Sequence, residues 1–367
     1  MATFTRAGVA AVVAGCLLAG CDGGGADGGP VVVATSTAVS TPRSTPDLGA
    51  GEEIARGIDV PWGLAFLPGG DALVAERDTG RVLRLTPGGG AAREVYRVPG
   101  VRARGEGGLL GLAVSPAFAD DGLVYAYFTA ARDNHIVRFR LGGGPPEVVF
   151  DGIAKAGNHN GGRIAFGPDG MLYVGTGDAG ETSRSPDPAS PNGKILRLTP
   201  DGAPAPGNPV ADSPVYSLGH RNVQGLAWDS EGRLFATEFG QNELDEVNLI
   251  RPGHDYGWPE VEGTGDTDGG RYTNPLLTWS VRDASPSGMA IAGDTAYVAA
   301  LRGERLWTVP LRGDTVGAPT AVFEERYGRL RTVEVAPDGA LWLTTSNTDG
   351  RGDTRDGDDR ILRFPAR

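Results

Sequence analysis

The stretch Gly162-Arg163-Ile164-Ala165-Phe166-Gly167-Pro168-Asp169-Gly170-Met171-Leu172-Tyr173-Val174 reads as two short apolar strands around a tight turn. Proline presets the φ angle of such a turn and glycine takes the conformation that other residues avoid. Five further copies of the unit lie outward from it. Upstream are Gly63-Leu64-Ala65-Phe66-Leu67-Pro68 with Ala72-Leu73-Val74-Ala75, and Gly111-Leu112-Ala113-Val114-Ser115-Pro116 with Leu123-Val124-Tyr125-Ala126-Tyr127. Downstream are Gly225-Leu226-Ala227-Trp228 with Arg233-Leu234-Phe235-Ala236, and Gly288-Met289-Ala290-Ile291 with Ala296-Tyr297-Val298-Ala299. Thr332-Val333-Glu334-Val335-Ala336-Pro337-Asp338-Gly339 with Leu341-Trp342-Leu343 is the last, and Thr332 stands where the others carry Gly.

The six starts lie 44 to 63 residues apart, the spacing of propeller blades plus loops. A helical solenoid would need apolar stripes of period 3.6, and none is present. One small sheet cannot bury both of its faces, whereas sheets stacked in a ring do so and leave only short edges. The expected architecture is therefore an all-β, six-bladed β-propeller over residues 52–367. Each unit should add an outer strand such as Arg81–Leu85 or Lys194–Leu198, and residues near Ile54 to Asp59 should close the ring as a strand of the final blade.

Composition agrees. The 367 residues include 59 Gly and 27 Pro, which suits many short strands and turns. A net charge of −12 argues against a nucleic-acid partner, since phosphate binding needs a basic surface. It also argues against adhesion to anionic membranes through protein charge. The two cysteines, Cys16 and Cys21, both lie at the N-terminus, so neither a disulfide framework nor a zinc–cysteine site is expected in the folded part.

Residues 1–21 read as a targeting segment. Arg6 precedes an apolar run from Ala7 to Ala19 that is shorter than the ~20 residues needed to span a bilayer. It ends in Leu18-Ala19-Gly20-Cys21, which resembles a bacterial lipobox with Cys21 as the lipidated mature N-terminus. Residues 22–51 are rich in Gly, Ser, Thr and Pro and are expected to form a flexible tether. The chain is thus expected outside the cytoplasm, on a membrane only through its lipid anchor.

Function in a propeller usually lies at one mouth of the channel, on loops that meet there. The polar residues beside each repeat-opening glycine are the candidates. His159, one of only four histidines, sits in Asn158-His159-Asn160-Gly161, and imidazole suits proton abstraction near neutral pH. Asp178 follows the next strand and could orient it; a turn aspartate and a loop histidine are the plain alternatives. Arg221-Asn222 offers a guanidinium fork beside an amide, suited to a planar polar ligand or simply to a solvated loop. Glu238-Phe239-Gly240-Gln241-Asn242 and Asp245-Glu246-Val247-Asn248 gather oxygen donors of the kind calcium takes, without EF-hand spacing, or form a solvated acidic loop. Arg302 by itself reads as a surface residue. Arg329 and Arg331 alternate on a strand and so share a face, either a carboxylate clamp or a surface charge ladder.

Taken together and in order, Pro61-Trp62-Gly63-Leu64-Ala65-Phe66, Gly107-Gly108-Leu109-Leu110-Gly111, His159 to Arg163, Asn192-Gly193-Lys194-Ile195-Leu196-Arg197, Gly219-His220-Arg221-Asn222, Asp245 to Ile250 and Asp255-Tyr256-Gly257-Trp258-Pro259 resemble the glucose/sorbosone dehydrogenase family. Within it they are similar to the soluble aldose sugar dehydrogenases that use pyrroloquinoline quinone (PQQ). The resemblance implies oxidation of a sugar at C1, with His159 as base, Asp178 as its support and Arg221 near the quinone carbonyl. It implies quinone contacts at Glu106, Asn222, Tyr256, Arg302, Arg329 and Arg331. It implies calcium at Glu238 and Asn248 and at the carbonyls of Gly240 and Gln241. The sugar and the external electron acceptor stay open.

Two positions depart from the family pattern. Glu106 stands where a glutamine is usual, and a carboxylate there is expected to repel a tricarboxylate cofactor. Arg302 replaces a lysine, keeping the charge but changing the donor geometry. A calcium-dependent propeller lactonase and a catalytically silent binding propeller are the competing readings. The lactonase would not need Arg221, Arg329 and Arg331 to converge on one anion.

Overall fold

A computed structural model describes residues 44–367. Six antiparallel sheets follow one another along the chain, and the innermost strand of each is the first strand of one repeat. These inner strands are Pro61–Phe66, Leu109–Val114, Ile164–Phe166, Val223–Trp228, Pro286–Ala292 and Leu330–Val335, and they define blades one to six in that order. The expected six-bladed ring is thus present. The strands expected to be outermost are third of four instead: Arg81–Leu85 pairs on its far side with Arg93–Arg97, and Ile195–Leu198 with Val215–Ser217. The ring closes as anticipated, because Glu52–Arg56 pairs with Arg360–Phe364 as the outer strand of blade six.

Strand alternation explains how the blades hold together. In Leu172–Gly175, Leu172 and Val174 pack toward blade two while Tyr173 packs toward blade four. The same happens in every blade, so the described residues form six core clusters, each built mainly from two neighbours. Burying one such Leu, Ile, Val or Phe side chain contributes roughly 1.5–3 kcal/mol. The closing interface is made like the others: Trp342 of blade six meets Phe66 of blade one edge to face at 5.4 Å.

The repeat glycines are set by the axis, where inner strands of adjacent blades approach closely. A Cβ on Gly63 would collide with the carbonyl of Leu110 in blade two, and one on Gly288 with the backbone of Thr332 in blade six. Thr332 has another task. Its Oγ1 donates to the Trp62 carbonyl and accepts from the buried Arg163 guanidinium at 2.9 Å.

The boundary of the folded part lies earlier than the composition implied. Residues 44–51, expected within the tether, line the C-terminus. Pro46 bridges Ala366, the Asp47 amide donates to the Pro365 carbonyl at 2.7 Å, and the Arg367 side chain reaches Asp47 at 2.9 Å. This pairing satisfies backbone groups at the chain end that a free tether would leave to water. The targeting segment 1–21 with Cys21, and the tether up to residue 43, lie outside the described residues.

Candidate active site

In an antiparallel hairpin the first strand begins where the second one ends. Pro61 opposes Glu76, Val223 opposes Glu238, and Leu330 opposes Thr345. Loops before the inner strands and after the second strands therefore meet at one mouth of the channel. A cavity of about 320 Å³ opens there, lined among others by Trp62, Glu106, Gln224 and Phe239. Five arginines and two carboxylates face it: Arg77, Arg302, Arg329, Arg331 and Arg351 against Glu106 and Asp349. Its walls carry an excess of three positive charges, unlike the molecule's net charge of −12.

Arg329 and Arg331 do share a face. Both reach Asp349, at 2.9 and 3.4 Å, and Arg331 also donates to Gln224 at 3.0 Å. Burial pushes Arg331 down to about 9 against the charge of Asp349. Burial would raise the Asp349 carboxyl, but the two guanidiniums hold it below its ordinary value. A cation so poorly hydrated gains much from an anionic ligand. Arg302 is exposed, as it reads in sequence, but it is placed at the site. It lines the cavity and makes no ion pair among the described residues.

His159 lies beside this cavity, on the loop before the inner strand of blade three. Its Nδ1 is 2.7 Å from Asp178 Oδ1, so Nδ1 carries the proton and Nε2 is the acceptor. Asn158 Nδ2 stands 3.2 Å from that Nε2. Asp178 is fully buried and takes two further donors: the Gly180 amide at 2.7 Å and Trp258 Nε1 at 3.0 Å. Burial would raise its carboxyl, yet the His159 bond and these donors keep it below the usual carboxylate value. The loop of Asp178 is anchored in turn by Asn192, which donates to the Gly177 carbonyl at 2.7 Å.

Glu106 answers the expectation of repulsion. Its Oε1 pairs with Arg351 at 2.8 Å and its Oε2 accepts the His159 backbone N–H at 3.0 Å. The carboxylate is compensated, not bare.

Arg221 packs over Trp258, with its guanidinium carbon 5.4 Å from the ring, and donates to the Phe239 carbonyl at 3.2 Å. Burial lowers it from its ordinary value. Asn222 accepts the Gly161 amide at 3.0 Å. Three buried donors near the mouth find no partner among the described residues: Nε of Arg221, Nδ2 of Asn222 and Nε of Arg331. Unpaired buried donors are costly, and acceptor oxygens of a ligand would relieve them.

Glu238 and Asn248 come together one layer deeper. Asn248 Nδ2 donates to Glu238 at 3.0 Å and to Glu246 at 2.9 Å, while its Oδ1 is buried without a partner. Glu238 also accepts from His220 Nδ1 at 2.9 Å and the Arg221 amide at 2.8 Å. Burial, then the Glu238 charge, raises the Glu246 carboxyl well above its ordinary value. Among the described residues no three His, Cys, Asp or Glu side chains form a ready-made metal cluster. The set here is two carboxylates and an amide oxygen, and a cation among them would offset the repulsion between Glu238 and Glu246. Gly240 and Gln241 lie on the adjoining loop, where the Gln241 amide is held by Glu262 at 2.6 Å. Neither of their carbonyls accepts a hydrogen bond among the described residues.

Three expected quinone contacts are absent from the walls of this cavity: Arg221 and Asn222, which lie beside it, and Tyr256. Tyr256 is buried, stacks on His220 at 4.7 Å, donates its hydroxyl to the Leu249 carbonyl at 2.6 Å and accepts from the Arg251 amide. It supports the His220 pair and does not line the cavity. Sequence reasoning in turn passed over Arg77, Asp349, Arg351, Gln224 and Trp258 as site residues. A signal existed for three of them. Arg77, Asp349 and Arg351 follow the second strand of their blades, the position Asp178 holds in blade three.

The pattern that defines the glucose/sorbosone dehydrogenases matches residues 58–362. The PQQ-bound aldose sugar dehydrogenase of Streptomyces coelicolor superposes with a TM-score of 0.83 at 55% identity, covering 88% of this chain and 100% of that one. The aldose sugar dehydrogenase of Escherichia coli is 28% identical over 80% of this chain and 89% of its own length. Quinoprotein glucose dehydrogenase B of Acinetobacter calcoaceticus is 31% identical over 65% of this chain, a match that spans 59% of that relative.

Proposed function

The chain belongs to the glucose/sorbosone dehydrogenase family, and from this premise we propose that it oxidises aldose sugars at C1 to lactones, with PQQ as the bound oxidant. The observation that carries the reading is the cavity at the channel mouth, with its excess of three positive charges beside a histidine–carboxylate pair. PQQ, a planar tricarboxylate, supplies a two-electron acceptor when bound. Arg329, Arg331 and Arg302 are the residues to hold its carboxylates. The unpaired donors of Arg221 and Asn222 suit oxygens that gain negative charge during the reaction.

The chain's own residues then divide the work. His159 Nε2 takes the proton of the anomeric hydroxyl as hydride leaves C1, so the sugar loses one proton and one hydride and becomes the lactone. Asp178 keeps the ring in the tautomer that leaves Nε2 free and stabilises the imidazolium that forms. Trp258 and Gly180 fix Asp178. A calcium ion is the cation we assign to this region; Glu238, Asn248 and the carbonyls of Gly240 and Gln241 would hold it, since oxygen-only donors suit it. Cys21 as lipid anchor places the enzyme on the outer face of the cell membrane.

The test adds PQQ and calcium to the purified protein and follows the quinone absorption, then dye reduction with a panel of aldoses. Saturable binding with sugar-dependent dye reduction is expected. Lactone hydrolysis without quinone binding would overturn the reading in favour of a propeller lactonase.

A further inference from the structure

His159 is held in an unfavourable backbone conformation. Its φ is 52°, the left-handed region that a residue with a side chain seldom adopts. Its carbonyl accepts the Ala179 amide at 3.1 Å and its ring is held by Asp178, but its N–H depends on one side chain, Glu106 Oε2, at 3.0 Å. The other oxygen of that carboxylate, Oε1, holds Arg351 at 2.8 Å. Arg302 and Arg351 are the exposed cations of the cavity, and of the two it is Arg351 that pairs with a cavity carboxylate. Arg329 and Arg331 are buried and locked on Asp349, whereas the Arg351 side chain is 58% exposed. Glu106 and Arg351 both line the cavity.

We propose that Glu106 is a positioning residue and that Glu106 and Arg351 form a charge clasp linking occupancy of the anion cavity to the placement of His159. Glu106 sets the histidine backbone, and Arg351 cancels a carboxylate that would otherwise oppose any polyanion entering the cavity. An arriving anion shares Arg351 with Glu106 and draws the clasp together over itself. The deeper arginines supply fixed charge, while this pair supplies an adjustable part that also touches the base. The inference rests on the proposed binding of a polyanionic quinone, and its test separates the two claims.

The experiment is a double-mutant cycle on the full domain. Parent, R351A, E106Q and E106Q/R351A are titrated with PQQ in the presence of calcium and, separately, with citrate, a tricarboxylate that needs no quinone chemistry. Removing Arg351 alone leaves Glu106 uncompensated, and binding of each ligand should weaken by about tenfold or more. Adding E106Q to R351A should recover at least about threefold of that loss, because the opposing charge is gone. A double variant that binds within threefold of R351A, or more weakly, overturns the clasp. PQQ binding without this coupling leaves the quinone reading standing and removes the clasp, while coupling with citrate and no PQQ binding does the reverse. The positioning role has its own readout. At saturating cofactor E106A should turn over about tenfold more slowly than E106Q, which keeps an acceptor for the His159 N–H. Equal kcat for the two variants overturns that role.

Discussion

Blades three and four each carry a histidine paired with a carboxylate, and the two pairs differ in what is left over. His159 meets Asp178 at 2.7 Å and His220 meets Glu238 at 2.9 Å. Both use Nδ1, and both carboxylates are buried. The second nitrogen separates them. His220 Nε2 is taken by Ser217 Oγ at 2.8 Å, the ring lies against Tyr256, and the side chain is fully buried. His159 keeps 13% of its side chain exposed, and among the described residues its Nε2 meets only the amide of Asn158. A histidine–carboxylate pair is thus a support until one ring nitrogen is open to a ligand. The same chemistry serves as scaffold beneath the site and as a candidate base beside it.

The sharpest way to break the comparison is to remove each ring in turn. His159→Ala should leave PQQ binding close to that of the parent and reduce turnover by roughly 10²–10⁴-fold, the usual loss of general-base help. Parent-like turnover at saturating quinone would refute the assignment. His220→Ala should act on stability instead. It strands Glu238 and Ser217 in the interior and should cost about 2–3 kcal/mol in denaturant unfolding. A variant as stable as the parent but inactive would mean that His220 takes part directly.

Arg331→Ala sharpens the division between binding and chemistry. Losing a buried guanidinium in the cavity should weaken PQQ by about tenfold or more, with a smaller effect on turnover once the cofactor is saturating. Titration calorimetry on the variant reads this directly. An unchanged dissociation constant would show that the cavity is not where the quinone lies.

Calcium removal probes the layer beneath. A chelator should lower the thermal midpoint of the parent by a few degrees, since an ion that binds only the folded state stabilises it. Glu238→Gln should flatten that response. If chelation moves neither midpoint nor activity, the carboxylate cluster does not hold calcium.

The smallest expected effect concerns a carboxylate that has no histidine. Glu334 lines an apolar cavity at the other end of the inner strands, with Phe66, Val114 and Phe166. Burial pushes its carboxyl up to about 7, opposed by the charge of Arg163. Asp178, with three donors, is shifted in the opposite direction. A raised carboxyl binds its proton more tightly in the folded state, so its contribution falls as pH rises from about 4.5 to 7. Glu334→Gln should therefore raise the thermal midpoint relative to the parent at pH 8 and do little at pH 4. A difference that does not vary with pH would mean that Arg163 satisfies Glu334 in full.

The extent to which the site was legible follows from where its residues lie in the repeat. His159, Asp178, Arg221, Arg329 and Arg331 sit at fixed offsets from repeat strands, so strand pairing alone sends them to one mouth. The same offsets bring Arg351 and Glu106 to that mouth but do not pair them with each other. Their loops come from blade six and from the connection between blades one and two, which adjoin only because the ring closes. Glu106 read alone suggested repulsion, since the sequence does not show which cation lies across the cavity. Tyr256 erred the other way: it stands in a motif that carries site residues, but its hydroxyl is used inside its own loop.

By itself, the sequence determined the number of blades, the hairpin in each, the glycines at the axis and the end of the channel at which polar loops collect. These follow from local turn chemistry, strand alternation and repeat spacing, all of which act over a few residues. Tertiary structure decided which histidine keeps an open nitrogen, which arginines are locked on Asp349, and that Glu106 is compensated by Arg351. Those outcomes depend on burial and on charges brought together from distant blades. Electrostatic energies in a partly dry cavity are governed by distance and desolvation, neither of which the order of residues records.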